Sequence, residues 1–299
     1  MKSNRNKTID TSIQDGKQWL DKCVSKPTID CTVLGDTFSV LPLIPNESID
    51  LIIIDPPYNL TKQFASFTFR KRSLEEYETY TKQWLQLVIP LMKPTATLYV
   101  CCDWFSSLTI GKVLQENLYL QNRITWEREK GRGAKTNWKN SMEDIWFATK
   151  TPNYTFNIDA VKVRKKVIAP YKENGIAKDW EETVDGKYRD TYPSNFWGDI
   201  TVPFWSMPEN TSHPTQKSEK LIAKLILASS NKNDIVLDPF CGSGTVSVVA
   251  KKLQRHYIGI EQEPQYAMWT EQRLEMAKTD NTIQGYNGIF YERNEKVSS

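Results

Sequence analysis

Histidine is the scarcest chemistry-bearing residue in this 299-residue chain. There are two, and no Cys-x-x-Cys pair accompanies them, so a structural zinc site is not expected. Five cysteines (Cys23, Cys31, Cys101, Cys102 and Cys241) are odd in number and show no disulfide framework, which suits a reducing compartment. No apolar run reaches membrane-spanning length. Met1-Lys2-Ser3-Asn4-Arg5-Asn6 lacks the apolar stretch of a signal peptide. A cytoplasmic location and no membrane partner are therefore expected. A strong charge of either sign is also missing: 39 Lys and Arg face 36 Asp and Glu, for a net +3. That permits a nucleic-acid partner without demanding one. Repeats and low-complexity blocks are absent. The remainder is ordinary globular composition, long enough for one large domain with an insert or for two domains.

The most informative residues present are Asp55-Pro56-Pro57-Tyr58. The run Ile49-Asp50-Leu51-Ile52-Ile53-Ile54 before them reads as a buried strand of a parallel sheet. Two prolines stop the strand and stiffen the loop after it. A carboxylate, rigid carbonyls and an aromatic ring are thereby held at a strand's C-terminal end, where open α/β sheets bind ligands. The combination suits gripping the exocyclic amine of a flat base. The plainer alternative is a proline turn capping a core strand.

The rest of the chain is expected to alternate helix and strand. The pattern predicts a short helix over 11–24, a strand over 28–33, a helical turn over 38–42 and a loop over 61–76. A helix over 77–92 carries Tyr80, Trp84, Leu87, Val88 and Leu91 on one face. A strand over 95–102, a helix over 103–116, strands over 122–126 and 145–149 and a loop over 127–143 come next. From 150 to 210 the rhythm breaks into short strand-like pieces with prolines and charges, read as an inserted recognition region. It resumes with helices over 219–229, 245–254 and 264–278 and strands over 234–238 and 257–261. Residues 279–299 are expected to be weakly structured.

A second motif occupies the later half. Asp234-Ile235-Val236-Leu237-Asp238 leads into Pro239-Phe240-Cys241-Gly242-Ser243-Gly244-Thr245, a glycine loop opening a helix. Glycines admit a ligand close to the backbone, and the helix start offers free N–H groups. Glu261 ends the next strand about twenty residues on, a spacing that suits an acid gripping ribose hydroxyls. Ser247 stands where a dinucleotide fingerprint has its third glycine. That weakens the case for a pyrophosphate ligand and leaves an adenosine cofactor without phosphates. A plain βαβ turn with a surface glutamate is the alternative. A third element, Thr211-Ser212-His213-Pro214-Thr215-Gln216-Lys217-Ser218, heads the 219–229 helix. It could hold a carboxylate or simply cap the helix.

Together these motifs resemble bacterial S-adenosylmethionine-dependent DNA amino-methyltransferases of the circularly permuted β group. The order matches at 55–58, 150–210, 213–217 and 240–244, and the similarity spans about 30–275. Gly35-Asp36, Trp126 before a charged loop and Tyr266 are further matches, while Ser218 stands where the family often has proline. The resemblance implies a doubly wound, mostly parallel α/β sheet of Rossmann-like type with an inserted recognition region. Its parts would be an extension (1–29), a catalytic half (30–149), a target-recognition insert (150–210), a cofactor half (211–278) and a tail (279–299). It implies S-adenosylmethionine as cofactor and double-stranded DNA as substrate, with the target base flipped out. The Asp-Pro-Pro-Tyr form is typical of adenine N6, and cytosine N4 stays open, as does a non-catalytic nucleic-acid-binding subunit.

By the same resemblance Asp55, Pro56, Pro57 and Tyr58 would be catalytic. Asp238, Pro239, Phe240, Gly242, Ser243, Gly244, Thr245 and Gln262 would line the cofactor, and Glu261 would hold its ribose. His213, Thr215 and Lys217 would face its methionine end. Asp36, with Thr37, would either meet the cofactor's adenine or cap a helix. For DNA, the stretch 121–140 sets six cations against two carboxylates. Arg128, Lys130, Arg132, Lys135 and Lys139 would order on phosphates, or form a solvated loop. Lys162, Arg164, Lys165 and Lys166 make a second basic strip. A companion restriction endonuclease is a candidate partner, and the chain would act as a monomer or homodimer.

Overall fold

The computed structural model describes residues 5–128, 135–167, 172–174, 176, 177, 179–184 and 186–292. Its centre is an eight-stranded sheet. The order across it is Cys31–Leu34, His256–Glu261, Ile235–Asp238, Ile49–Ile54, Met92–Cys102, Met142–Thr149, Tyr119–Glu127 and Phe196–Trp197. Each neighbouring pair is parallel except the two made by Met142–Thr149, which runs against the rest.

Both faces of the sheet are covered, because successive strand side chains point to opposite sides. Leu51 and Ile53 join one apolar cluster, with helices Glu219–Ser229 and Thr245–Lys252. Ile52 and Ile54 join another, with helices Leu74–Val88 and Trp104–Asn117. From residue 51 to 54 the strand is therefore apolar without alternation, as a stretch buried on both faces must be.

Several boundaries differ from expectation. The helix expected from 77 begins at Leu74, because Ser73 and Glu76 form a reciprocal capping box. The helix expected over 11–24 contracts to Lys17–Leu20. The chain before it is drawn out instead: Ile9 N donates to Asn210 O, and Thr11 O accepts from the Gln265 and Trp269 side chains. Within 61–76, a two-residue ladder pairs Lys62–Gln63 with Thr68–Phe69.

The stretch 150–210 is not closed upon itself. Glu181–Thr183, Gly186–Thr191 and Val163–Lys166 form an antiparallel ladder, completed by Phe290–Tyr291 lying parallel to Val163–Lys166. The tail thus contributes a strand, with Phe290 fully buried. Phe196–Trp197 in turn edges the main sheet.

A buried ion cluster fastens this region to the scaffold. Helix Glu219–Ser229 is buried on every side, so Lys220 and Lys224 have no route to bulk water. Asp199 accepts from both, at 3.1 and 3.2 Å. Burial pushes the Lys224 pKa down to about 8, against the pull of Asp199. Asp199→Ala would leave two buried ammonium groups without their carboxylate. Its expected cost is about 3–5 kcal/mol, read as a lower urea midpoint; an unchanged midpoint would show the pair to be dispensable.

Candidate active site

Chain direction sets the site. Strands that run together end together, and here they end in acids: Asp36 follows Cys31–Leu34, Asp55 follows Ile49–Ile54, and Glu261 and Asp238 close their own strands. The reversed strand arrives from the other direction, so its second residue, Glu143, reaches the same edge from its start. Asp36, Asp55, Glu143, Asp238 and Glu261 all line one cleft of about 410 Å³. Two stretches nearly two hundred residues apart therefore share a cavity.

Asp55 lies at the centre of a hydrogen-bonded cluster. Tyr58 OH donates to Asp55 Oδ1 at 2.8 Å, and Lys217 Nζ donates to Asp55 Oδ2 at 2.6 Å. Lys217 Nζ also lies 3.1 Å from Tyr58 OH and 3.4 Å from Glu143 Oε2. Glu143 is buried and accepts from Arg128 as well. Loss of water drives the Tyr58 hydroxyl far above its usual pKa, and Asp55 and Glu143 add to the effect, so it is a fixed donor. For Lys217, the two carboxylates outweigh desolvation and hold the ammonium charged. The loop is braced from behind: Tyr77 OH donates to Pro57 O at 3.0 Å, and Asn59 N to Ser106 Oγ at 2.8 Å.

Lys217, expected at the methionine end of a cofactor, lines the same cleft and also grips Asp55, a contact the sequence did not suggest. Glu143 was not anticipated at all.

The glycine loop has the form a close ligand needs. Gly242 has φ +55° and Gly244 φ +78°, and a Cβ on Gly244 would stand 2.4 Å from Thr270 Cγ2. Glu261 Oε2 accepts from Gly242 N at 2.7 Å, and Oε1 from Glu263 N at 2.8 Å. Burial raises the Glu261 pKa to about 7 and the Asp238 pKa to about 8. Asp238 accepts only one backbone N–H, from Phe240 at 3.1 Å, among the described residues. These acids, with Phe240 and the open loop backbone, fit an adenosine-type ligand carrying positive charge.

The other expected cofactor residues divide. Thr215, Ser243, Thr245 and Gln262 line the cleft. His213 packs against Gly242 and Tyr266, and desolvation pushes its pKa down to about 3, so the ring is neutral. Asp36 caps a helical turn by accepting from Ser39 N at 3.0 Å, and Thr37 donates to Pro239 O. Over the cleft, hairpin residues Phe64 and Phe67 stack, and Ser66 N donates to Glu263 at 3.0 Å.

The expected DNA contacts fare unevenly. Arg128 reaches into the cleft to pair with Glu143 while its side chain stays partly exposed. Lys130 and Arg132 lie outside the described residues, while Lys135 and Lys139 are exposed. In the second strip Lys162 pairs with Asp159 at 2.7 Å, Arg164 with Asp190 at 2.8 Å and Lys165 with Glu292 at 3.3 Å. The Glu and Asp partners come from outside the run, so charge counted along the sequence overstated its positive field. Among the described residues no group of His, Cys, Asp and Glu is arranged to hold a metal ion, and no helix is long and apolar enough to cross a membrane.

The family model described as DNA methylase matches residues 49–272. The Type II methyltransferase M.HpaI of Haemophilus parainfluenzae is 33% identical over 260 residues, covering 86% of this chain and 76% of its own. Among solved structures, the PvuII DNA methyltransferase (cytosine-N4-specific) superposes with a TM-score of 0.64 at 18% identity, covering 85% of this chain and 92% of that one. The M1.HpyAVI–SAM complex superposes with a TM-score of 0.57 at 25% identity, covering 81% and 98%. The chain belongs to the DNA methylase family.

A carboxyl whose pKa rises on folding stabilises the fold at low pH, and that stabilisation fades as pH climbs from the unfolded value toward the folded one. For Asp238 the window runs from about 4 to about 8. Asp238→Asn keeps the acceptor for Phe240 N and removes the charge. Its melting temperature is expected to match wild type near the acid end of this window and to exceed it near the upper end. Parallel melting curves across that range would contradict the assignment.

Proposed function

We propose that this DNA methylase transfers a methyl group from S-adenosylmethionine to adenine N6 within a specific double-stranded DNA site. The observation that carries the reading is the Asp55 carboxylate, held by two donors at the edge of the cleft that also contains the glycine loop.

In this reading Phe240, Gly242, Ser243 and Gly244 hold the cofactor, Glu261 takes its ribose hydroxyls, and Asp238 faces its positive charge. When bound, the cofactor supplies a methyl group already activated by a positive sulfur. The chain's own task is then to position and polarise the target amine. That amine is a poor nucleophile because its lone pair is spread into the ring. Asp55 and the Pro56 carbonyl accept its two hydrogens and localise the pair. The nitrogen gains the methyl and gives up one proton, for which Asp55 is the nearest acceptor. Tyr58 offers its ring to the flipped base, a contact worth about 1–3 kcal/mol by analogy with single-strand binding.

Adenine is favoured over cytosine by resemblance alone, since the Asp-Pro-Pro-Tyr form is typical of adenine N6 and a leading serine is commoner for cytosine N4. A cytosine-N4-specific relative in structure keeps the second reading alive. DNA phosphates in this reading meet the basic residues around 121–140 and those at 162–166. On this reading the enzyme works in the cytoplasm, and a companion restriction endonuclease is the partner to seek.

Labelled methyl transfer to DNA, followed by nucleoside analysis, is expected to yield N6-methyladenine. Label found only in N4-methylcytosine would overturn the base assignment. Asp55→Ala is expected to lower transfer by at least about 100-fold while cofactor binding survives. Turnover near wild type in that variant would end the role given to Asp55.

A further inference from the structure

Two donors in the Asp55 cluster stand between two carboxylates. Tyr58 OH is 2.8 Å from Asp55 Oδ1 and 3.3 Å from Glu143 Oε2. Lys217 Nζ is 2.6 Å from Asp55 Oδ2 and 3.4 Å from that same Glu143 oxygen. Both donors favour Asp55, yet a sub-ångström shift would give them to Glu143. The other Glu143 oxygen is engaged by Arg128, which anchors the carboxylate and leaves Oε2 facing the pair.

We propose that Glu143 is a positioning residue that takes over Tyr58 and Lys217 when the target amine reaches Asp55. The need arises from the geometry. Both Asp55 oxygens already accept a strong donor, and a charged ammonium at short range draws off the electron density an incoming N–H would use. The amine binds well only if those donors relax. Moving them into empty space would strand a buried ammonium and a buried hydroxyl. Glu143 removes that cost, because it is buried and ionic and is approached from the reversed strand. The exchange trades one charge-assisted bond for another, so the site stays satisfied before and after the base arrives.

The charges facing Asp55 are Lys217, Lys62 and Arg128 on one side of the balance and Glu143 and Asp238 on the other. Tyr58 and Cys101 are held protonated and His213 is neutral. Removing the negative charge of Glu143 therefore leaves both donors locked onto Asp55.

This inference rests on the amine-gripping role of Asp55, and the experiment separates the two. Single-turnover methyl transfer to DNA and cofactor affinity are measured across pH 5–9 for wild type, Glu143→Gln, Glu143→Asp and Asp55→Ala. Glu143→Gln is expected to keep cofactor affinity within about twofold and to slow transfer by at least about tenfold at every pH measured. Glu143→Asp keeps the charge but shortens the reach, so its rate should fall below wild type yet stay above that of Glu143→Gln. A wild-type rate in Glu143→Gln, or a Glu143→Asp rate no faster than that of Glu143→Gln, would overturn the proposal. Should Glu143→Gln not fold, Glu143→Asp decides: a wild-type rate in that variant overturns it. An active Asp55→Ala would retire the reading of Asp55. An inactive Asp55→Ala beside an unimpaired Glu143→Gln would retire only the exchange of donors.

Discussion

The site depends on one strand pairing. Ile235–Asp238 lies parallel to Ile49–Ile54, with Val236 opposite Leu51 and Leu237 opposite Ile52. These strands come from opposite ends of the chain, and all the intervening structure is built around their contact. Parallel pairing makes both strands end at one edge, so the Asp55 loop and the glycine loop become neighbours. An antiparallel pairing with the same residues would bury the same apolar area and put the loops on opposite sides of the molecule. The hydrophobic gain holds the sheet together, and strand direction makes it a site.

Crowding acids at one edge has an electrostatic cost, which the fold meets differently in two places. Around Asp55 and Glu143 the cost is met from within, by Lys217 and Arg128. At Asp238 and Glu261 no cation is paired by a salt bridge among the described residues, and burial pushes both acids up toward neutrality. The first arrangement has its carboxylates paired with cations of the chain itself, before any ligand arrives. The second awaits positive charge from outside, which would lower both acids' pKa values and recover the energy that desolvation takes. The cleft thus combines a self-neutralised half suited to a neutral base with an unneutralised half suited to a cationic cofactor.

Much of this was legible in the residues. Helix Glu219–Ser229 lies where its periodicity predicts, and the Asp55 and Asp238 strands are apolar runs closed by turn-forming residues. What escaped has a common cause. Glu143 falls at the end of the expected loop over 127–143, whereas the strand begins at Met142 and runs against its neighbours, a start and a direction that the local pattern does not reveal. Lys217 adjoins a helix start, where an anion-binding role is the local inference, and only the tertiary approach of Asp55 redirects it. The strip at 162–166 was read by charge along the chain, whereas Asp190 and Glu292 arrive across the ladder and from the tail. Local pattern exposes periodicity and turn chemistry, and partners distant in sequence lie beyond it.

The same argument applies to the stretch 150–210. Composition marks it as foreign to the α/β rhythm, which suggests a module hung on the scaffold. Its connections are those of a welded part. It lends Phe196–Trp197 to the main sheet, borrows Phe290–Tyr291 from the tail, and sends Asp199 into two buried lysines of a core helix. The extended N-terminal segment crosses to its far end through Ile9 and Asn210. Each link buries polar groups that separation would expose or strand, so rigid-body motion of this region against the sheet would break ion pairs and strand pairing together. If the region reads DNA, as the resemblance implies, it does so from a fixed position relative to Asp55. The distance between the sequence read and the base methylated would then be set by the fold and not by a hinge.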